Sequence, residues 1–164
     1  MDVDAAVADE HVRSSAYQRV VAVLAAGRSR DGDRAVVATI LRDPADLTAK
    51  TAVVALVDRV ATTMDDPADL RRWAAGLAPE FSRLGGHLDL VHRRVHDWAV
   101  YLTVRAGRVP DTAELACLTD WMQRRLATES TSPPVLDMLA GSGRTRKTRN
   151  LARNRAGSRA VRGR

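Results

Sequence analysis

The sequence has little cysteine, no long hydrophobic run and no basic leader, and each shortage narrows the class of protein. The single cysteine, Cys117, excludes an intramolecular disulfide and a multi-cysteine zinc site. The longest apolar runs, Val20–Ala26 and Ala52–Val57, are far shorter than the about 18 residues that a membrane span needs. The first ten residues are acidic, without the positive charge of a secretory signal. We therefore expect a soluble, cytoplasmic protein with no membrane partner.

Motifs of nucleotide-binding and hydrolytic enzymes are also missing. One group of three side chains has the spacing of metal ligands. Asp89, His92 and His96 would share one flank of a helix, where three ligand-type side chains could converge. The pattern lacks the glutamate of a metalloprotease helix, and Arg93 and Arg94 would raise the local positive potential. We expect no catalytic residue, no metal and no cofactor. An enzyme is the third hypothesis, and it rests on these three residues alone.

Helical periodicity is widespread and strand signals are scarce. Asp-Pro-Ala-Asp-Leu occurs at 43–47 and again at 66–70, with an aspartate N-cap before a proline in the first helical position. Asp111 and Glu114 have capping-box spacing. The predicted helices span 3–26, 34–41, 44–64, 67–77, 87–106, 112–128 and 135–140. We predict an all-α fold, a compact bundle of about six helices, over the domain of residues 1–140.

Cys117 and the three tryptophans are interpreted as packing residues. Cys117 lies one position away from an apolar helix stripe and has no histidine nearby in sequence, so we expect a small, semi-buried side chain rather than a reactive thiol. Trp73, Trp98 and Trp121 occupy apolar positions of predicted helices. Tryptophans in such positions are more often core residues than platforms for stacking bases.

The positive charge is concentrated at the C-terminal end. Residues 141–164 contain nine basic residues and no acidic one, and residues 1–140 hold 17 basic and 20 acidic side chains, a net charge of −3. The preference for arginine over lysine is typical of high-GC bacterial codon usage, so the choice of arginine itself carries little functional weight. The nine candidate nucleic-acid-binding residues are Arg144, Arg146, Lys147, Arg149, Arg153, Arg155, Arg159, Arg162 and Arg164.

Gly141-Ser142-Gly143 predicts a flexible joint, so residues 141–164 are interpreted as a separate, flexible or induced-helical basic tail. Residues 135–155 also have the outline of a helix-turn-helix. Only Leu151 and Ala152 could pack its second helix, and the positive charges spread around the helical projection. We therefore favour shape-insensitive phosphate contact over groove readout of bases.

Two functions compete for this arrangement. The first is a non-enzymatic nucleic-acid-binding or regulatory protein, whose tail contacts phosphates of DNA or RNA while the helical body mediates contact with a protein partner or a second copy. Six phosphate contacts on a duplex would give a log–log salt slope of about −5. The alternative is a helical adaptor whose basic tail docks on an acidic protein partner.

Overall fold

The structure is a computed structural model that describes residues 12, 15–19, 22, 32–42 and 46–158. Residues 12, 15–19 and 22 are helical, residues 32–42 and 46–158 form nine α-helices and one 3-10 segment, and none of these ranges contains a strand. The all-α prediction is therefore confirmed for the residues described. Within the same ranges, no helix combines the length and the apolar character needed to cross a membrane.

The observed helices follow the predicted ones closely in the first half of the chain. The spans predicted at 34–41, 44–64, 67–77 and 87–106 are matched to within two residues at each end. The predicted helix over 3–26 falls mostly outside the described residues. The elements are α1 Asp33–Ile40, α2 Asp46–Thr62, α3 Pro67–Gly76, α4 Ala78–Phe81, a 3-10 segment Ser82–His87, α5 Leu88–Arg105, α6 Thr112–Cys117, α7 Asp120–Glu129, α8 Pro133–Ser142 and α9 Arg146–Ala156.

The described residues form two compact units. The first contains the described residues up to Met64, together with Asp69–Val95. The second contains Asp65–Ala68 and the described residues from His96 onward. The C-terminal basic residues that the structure describes therefore belong to the second unit, together with α6, α7 and α8.

The first unit is built around α2. Seven apolar side chains of this helix are buried, and α1 and the 3-10 segment pack against it. Two polar pairs join the surrounding elements: Trp73 Nε1 donates to Asp33 Oδ2 at 2.8 Å, and Arg34 Nε donates to Glu80 Oε1 at 2.8 Å. The buried apolar residues of α2 are Ala49, Ala52, Val53, Leu56, Val57, Val60 and Ala61.

Two of the expected helix caps are present. The Asp66 side chain accepts the Ala68 amide N–H at 2.8 Å at the start of α3. Asp111 and Glu114 form the reciprocal capping box at the start of α6. The corresponding start at Asp43 lies outside the described residues.

The prediction of a single helix over 112–128 is wrong, because the helix is interrupted between α6 and α7. Leu118 and Thr119 are both extended, and Thr119 caps α7 by accepting the Met122 amide N–H. Asp97 of α5 holds the break: its carboxylate accepts the Thr119 amide at 3.0 Å and the Thr119 hydroxyl at 2.5 Å. Asp97 is fully buried, and a buried carboxylate needs such donors. No local sequence pattern reveals that long-range pairing.

The C-terminal segment, predicted from Gly141 onward as a flexible or induced-helical tail, is helical over Arg146–Ala156. Helix α8 continues through Ser142, and α9 follows after a turn of three residues, Gly143 to Thr145. Helix α9 packs along α8 and against α7. Residues 141–158 are therefore an integral part of the second unit, and only Arg159, Arg162 and Arg164 of the nine candidates lie outside the described residues.

Candidate nucleic-acid interface

Helix α9 is held in place by two small side chains. Thr148 and Ala152 are both completely buried, and their four-residue spacing puts them on the same face of the helix. Thr145 caps the helix, since its hydroxyl accepts the Thr148 amide N–H at 3.1 Å. Leu151 is half-buried beside them. A helix with very few large apolar residues can therefore dock, because small residues allow close approach.

The turn before α9 requires glycine at position 143. A Cβ atom added to Gly143 would lie 2.6 Å from the Leu139 carbonyl oxygen and 3.1 Å from Thr148 Cγ2. The same addition at Gly141 meets nothing within 4 Å. Gly143 therefore acts through close packing, and Gly141 is not required for the joint that the sequence suggested.

Arg144 connects this turn to α7. Its backbone amide donates to Gln123 Oε1 at 2.9 Å, and the Gln123 amide group donates in turn to the Leu115 carbonyl at 2.8 Å. Gln123 is almost completely buried, so both ends of its side chain are satisfied inside the unit. The Arg144 guanidinium pairs with Asp120 at 3.4 Å, and more than half of its side chain is exposed.

Three further arginines of the predicted tail donate to backbone carbonyls. Arg149 donates to Gly143 O at 2.7 Å, Arg153 to Ala140 O at 3.1 Å and Arg155 to Ser130 O at 3.2 Å. These carbonyls lie at or just beyond the C-terminal ends of α7 and α8, where backbone acceptors lack helical partners. Part of the positive charge therefore has a structural role, whereas the sequence predicts phosphate contact for all nine basic residues.

The remaining described basic residues point outward. The side chains of Arg146 and Lys147 are exposed and make no hydrogen bond or ion pair with any residue that the structure describes. Asn150 and Asn154 are exposed on the same helix. Arg153 is exposed too, and its Nη1 donates to Asn150 Oδ1 at 3.2 Å.

The exposed face of α9 is therefore polar and basic, and it has no acidic member. Asn150 and Asn154 were not among the predicted site residues. Their signal in the sequence is the four-residue spacing that puts Arg146, Asn150 and Asn154 in one line. That line becomes visible once Thr148 and Ala152 are known to form the buried face.

The structure gives no support to the candidate metal ligands. Among the residues described, no group of three or more His, Cys, Asp or Glu side chains is arranged to hold a metal ion. Asp89 and His92 are exposed on α5, and His96 is half-buried.

The prediction that Cys117 and the three tryptophans are packing residues is correct for only some of them. Cys117 is exposed rather than semi-buried. Trp98 is buried as expected, Trp73 is half-buried and Trp121 is 36% exposed.

A polar cluster in the second unit surrounds Trp98. Arg125 stacks over the Trp98 ring at 4.6 Å and over the Tyr101 ring at 5.0 Å. The Tyr101 hydroxyl donates to Glu129 at 2.6 Å, and burial together with this hydrogen bond raises the pKa of Tyr101. Tyr101 and Glu129 also line a cleft of about 360 Å³. The cluster's polar groups bind one another, so we assign it to holding α7 against α5.

Comparison of the chain with protein-family models, with curated proteins and with solved structures finds no match.

Proposed function

We propose that this protein binds nucleic acid through the outward face of α9 and the basic residues that follow it. The observation that carries the proposal is the exposed basic surface of α9, formed by Arg146, Lys147 and Arg153, because this helix has no acidic residue. The planar guanidinium of arginine matches phosphate geometry and can bind it through two parallel hydrogen bonds.

The position of the charges within the helix supports the proposal. Arg146 and Lys147 lie in the first turn of α9, and that turn has no acidic residue. Positive side chains at the positive end of a helix dipole are unfavourable in the unbound protein. A phosphate group would relieve that repulsion, so selection for stability alone would not favour this pattern.

The docking of α9 changes how the proposal is tested. Deleting residues 141–164 would remove the buried Thr148 and Ala152, and lost binding could then reflect lost structure. Charge-neutral substitutions on the exposed face avoid this problem. The double variant R146Q/K147Q removes the charges of two exposed side chains that form no hydrogen bond or ion pair with the described residues. Its matched control is R71Q/R93Q, which removes two exposed arginines of the first unit.

The experiment measures binding of the full chain to a random duplex and to a random RNA at about 0.1 M salt. We expect R146Q/K147Q to weaken binding about tenfold or more, whereas R71Q/R93Q stays near the native affinity. Absence of binding to both nucleic acids would overturn the proposal. Binding to an acidic polypeptide alone would favour the adaptor function instead.

A further inference from the structure

Helices α8 and α9 are joined in the manner of a helix-turn-helix. The connection has three residues, Gly143, Arg144 and Thr145, and a side chain at position 143 would collide with the end of α8. Helix α9 also packs against α7, so its inner face is covered by two helices. Helix α9 has few large apolar residues. It packs instead through the buried Thr148 and Ala152 and through hydrogen bonds from its arginines to backbone carbonyls.

The outward side chains of α9 are confined to one arc. At 100° per residue, the exposed positions from Arg153 around to Lys147 cover about 120° of the helix. Arg146, Asn150 and Asn154 run along the middle of this arc, and Lys147 and Arg153 lie at its two edges. Arg149 and Arg155 are turned towards the protein. The even spread of charge seen in the sequence therefore does not describe the exposed surface.

Arginine and asparagine are the side chains that read bases most directly. Arginine donates two hydrogen bonds to guanine O6 and N7, and asparagine pairs with adenine N6 and N7. Basic side chains at the edges of such an arc lie close to the phosphates that border the groove. The arc thus combines base-reading groups in the middle with phosphate-binding groups at the rim.

The shape favours duplex DNA over RNA. A helix about 10–12 Å in diameter fits the B-DNA major groove, which is about 12 Å wide. The major groove of A-form RNA is too narrow for side chains to read. Recognition of unpaired bases relies on aromatic stacking, and α9 carries no aromatic residue.

We propose that α9 is a recognition helix that enters the major groove of duplex DNA and reads sequence through Arg146, Asn150 and Asn154. This inference rests on the proposed function and adds the substrate class to it. The hydrogen bond from Arg153 to Asn150 Oδ1 restrains the Asn150 amide before DNA binds. Lys147 supplies the phosphate contact at the rim, and Arg153 at the other edge is bonded to Ala140 O and to Asn150.

The test selects binding sites from a randomised duplex library with the full native chain, and then measures affinities for the selected site and for single-base-pair variants. We expect an enriched motif. N150A should lose about ten- to hundredfold discrimination at one base pair, while its affinity for random duplex and its salt slope stay unchanged because the residue is neutral. K147Q should weaken binding to all sequences equally, lower the salt slope by about 1 and leave the preferred motif intact.

Several outcomes would overturn the inference and can be told apart. Binding to random duplex without any enriched motif leaves the proposed function standing and removes base reading. A motif that is unchanged in both N150A and N154A assigns the readout to another part of the chain. Preferential binding to RNA or to single strands excludes groove entry by α9. If no nucleic acid binds, the proposed function fails as well. Thermal melts of the variants confirm that these exposed substitutions leave the fold intact.

Discussion

Helices α2 and α9 show two different ways of attaching a helix to a protein. Helix α2 buries seven apolar side chains along its 17 residues. Helix α9 buries only Thr148 and Ala152 along its 11 residues, and Arg149, Arg153 and Arg155 bond it to backbone carbonyls. The first helix is fixed by apolar burial, and the second by close approach and charge-assisted hydrogen bonds. The second arrangement leaves the outer face free for charged and amide side chains.

The largest expected difference between the helices comes from the same substitution made in each. Leu56→Ala in α2 should lower the free energy of unfolding by about 2–5 kcal/mol, because Leu56 is fully buried and truncation leaves a cavity. Leu151→Ala in α9 should cost about 1 kcal/mol, since Leu151 is only half-buried. Urea unfolding followed by circular dichroism measures both. Equal losses would mean that α9 depends on apolar burial as much as α2 does.

The close approach in front of α9 predicts the next largest effect. Gly143→Ala should destabilise the protein by about 1–3 kcal/mol, because the new methyl group would lie 2.6 Å from the Leu139 carbonyl oxygen. Gly141→Ala is the control, and it should be neutral or stabilising by up to about 1 kcal/mol, since nothing lies within 4 Å. Thermal melts of the two variants check the prediction. A Gly143→Ala protein as stable as the native one would refute the close packing of α8 and α9.

The inward and outward arginines of α9 should differ in stability. Arg155→Gln removes the donor to the Ser130 carbonyl and should cost about 1 kcal/mol. Arg146→Gln changes an exposed side chain without described partners and should stay within about 0.5 kcal/mol of the native protein. Chemical unfolding under identical conditions compares them. The structural role of Arg155 is rejected if the two variants unfold at the same denaturant concentration.

The smallest expected effect is the pH dependence of stability. It arises from the Arg34–Glu80 pair of the first unit and not from the arginine–carbonyl bonds of the second unit. Hydrogen bonding to Arg34 holds the pKa of Glu80 below its ordinary value of 4.5, against the opposing effect of burial. A lowered pKa means that this contribution is fully present above pH 4.5 and is lost as the pH falls through the folded-state value. Bonds from arginine to backbone carbonyls do not titrate in this range. Stability curves from pH 6 to pH 3 should therefore be flatter for E80Q than for the native chain, and identical curves would contradict the assignment.

The sequence predicts the parts of this fold in which apolar periodicity determines structure. The helices α1, α2, α3 and α5 follow from repeating apolar positions and local caps, and the capping box at Asp111 follows from spacing alone. The break before α7 depends on Asp97, 22 residues away from Thr119. The docking of α9 depends on two small residues and on carbonyls of other helices. Such contacts leave no periodic pattern.

The candidate interface could be predicted only in part, for the same reason. Counting charges locates the basic segment and all of its arginines. Counting cannot say which arginines face the protein, because Arg146 and Arg149 look alike in the sequence and differ only in what lies beside them. The inward and outward faces become distinct when Thr148 and Ala152 define the buried side.

The division of α9 into inward and outward basic side chains is tested most directly by the salt dependence of duplex binding. Lys147→Gln and Arg155→Gln each remove one positive charge from the same helix, so the net charges of the two variants are matched. We expect the log–log slope to fall by about 0.9 in magnitude for Lys147→Gln and to stay at the native value for Arg155→Gln. Equal reductions in the two variants, or no change in Lys147→Gln, would contradict this division.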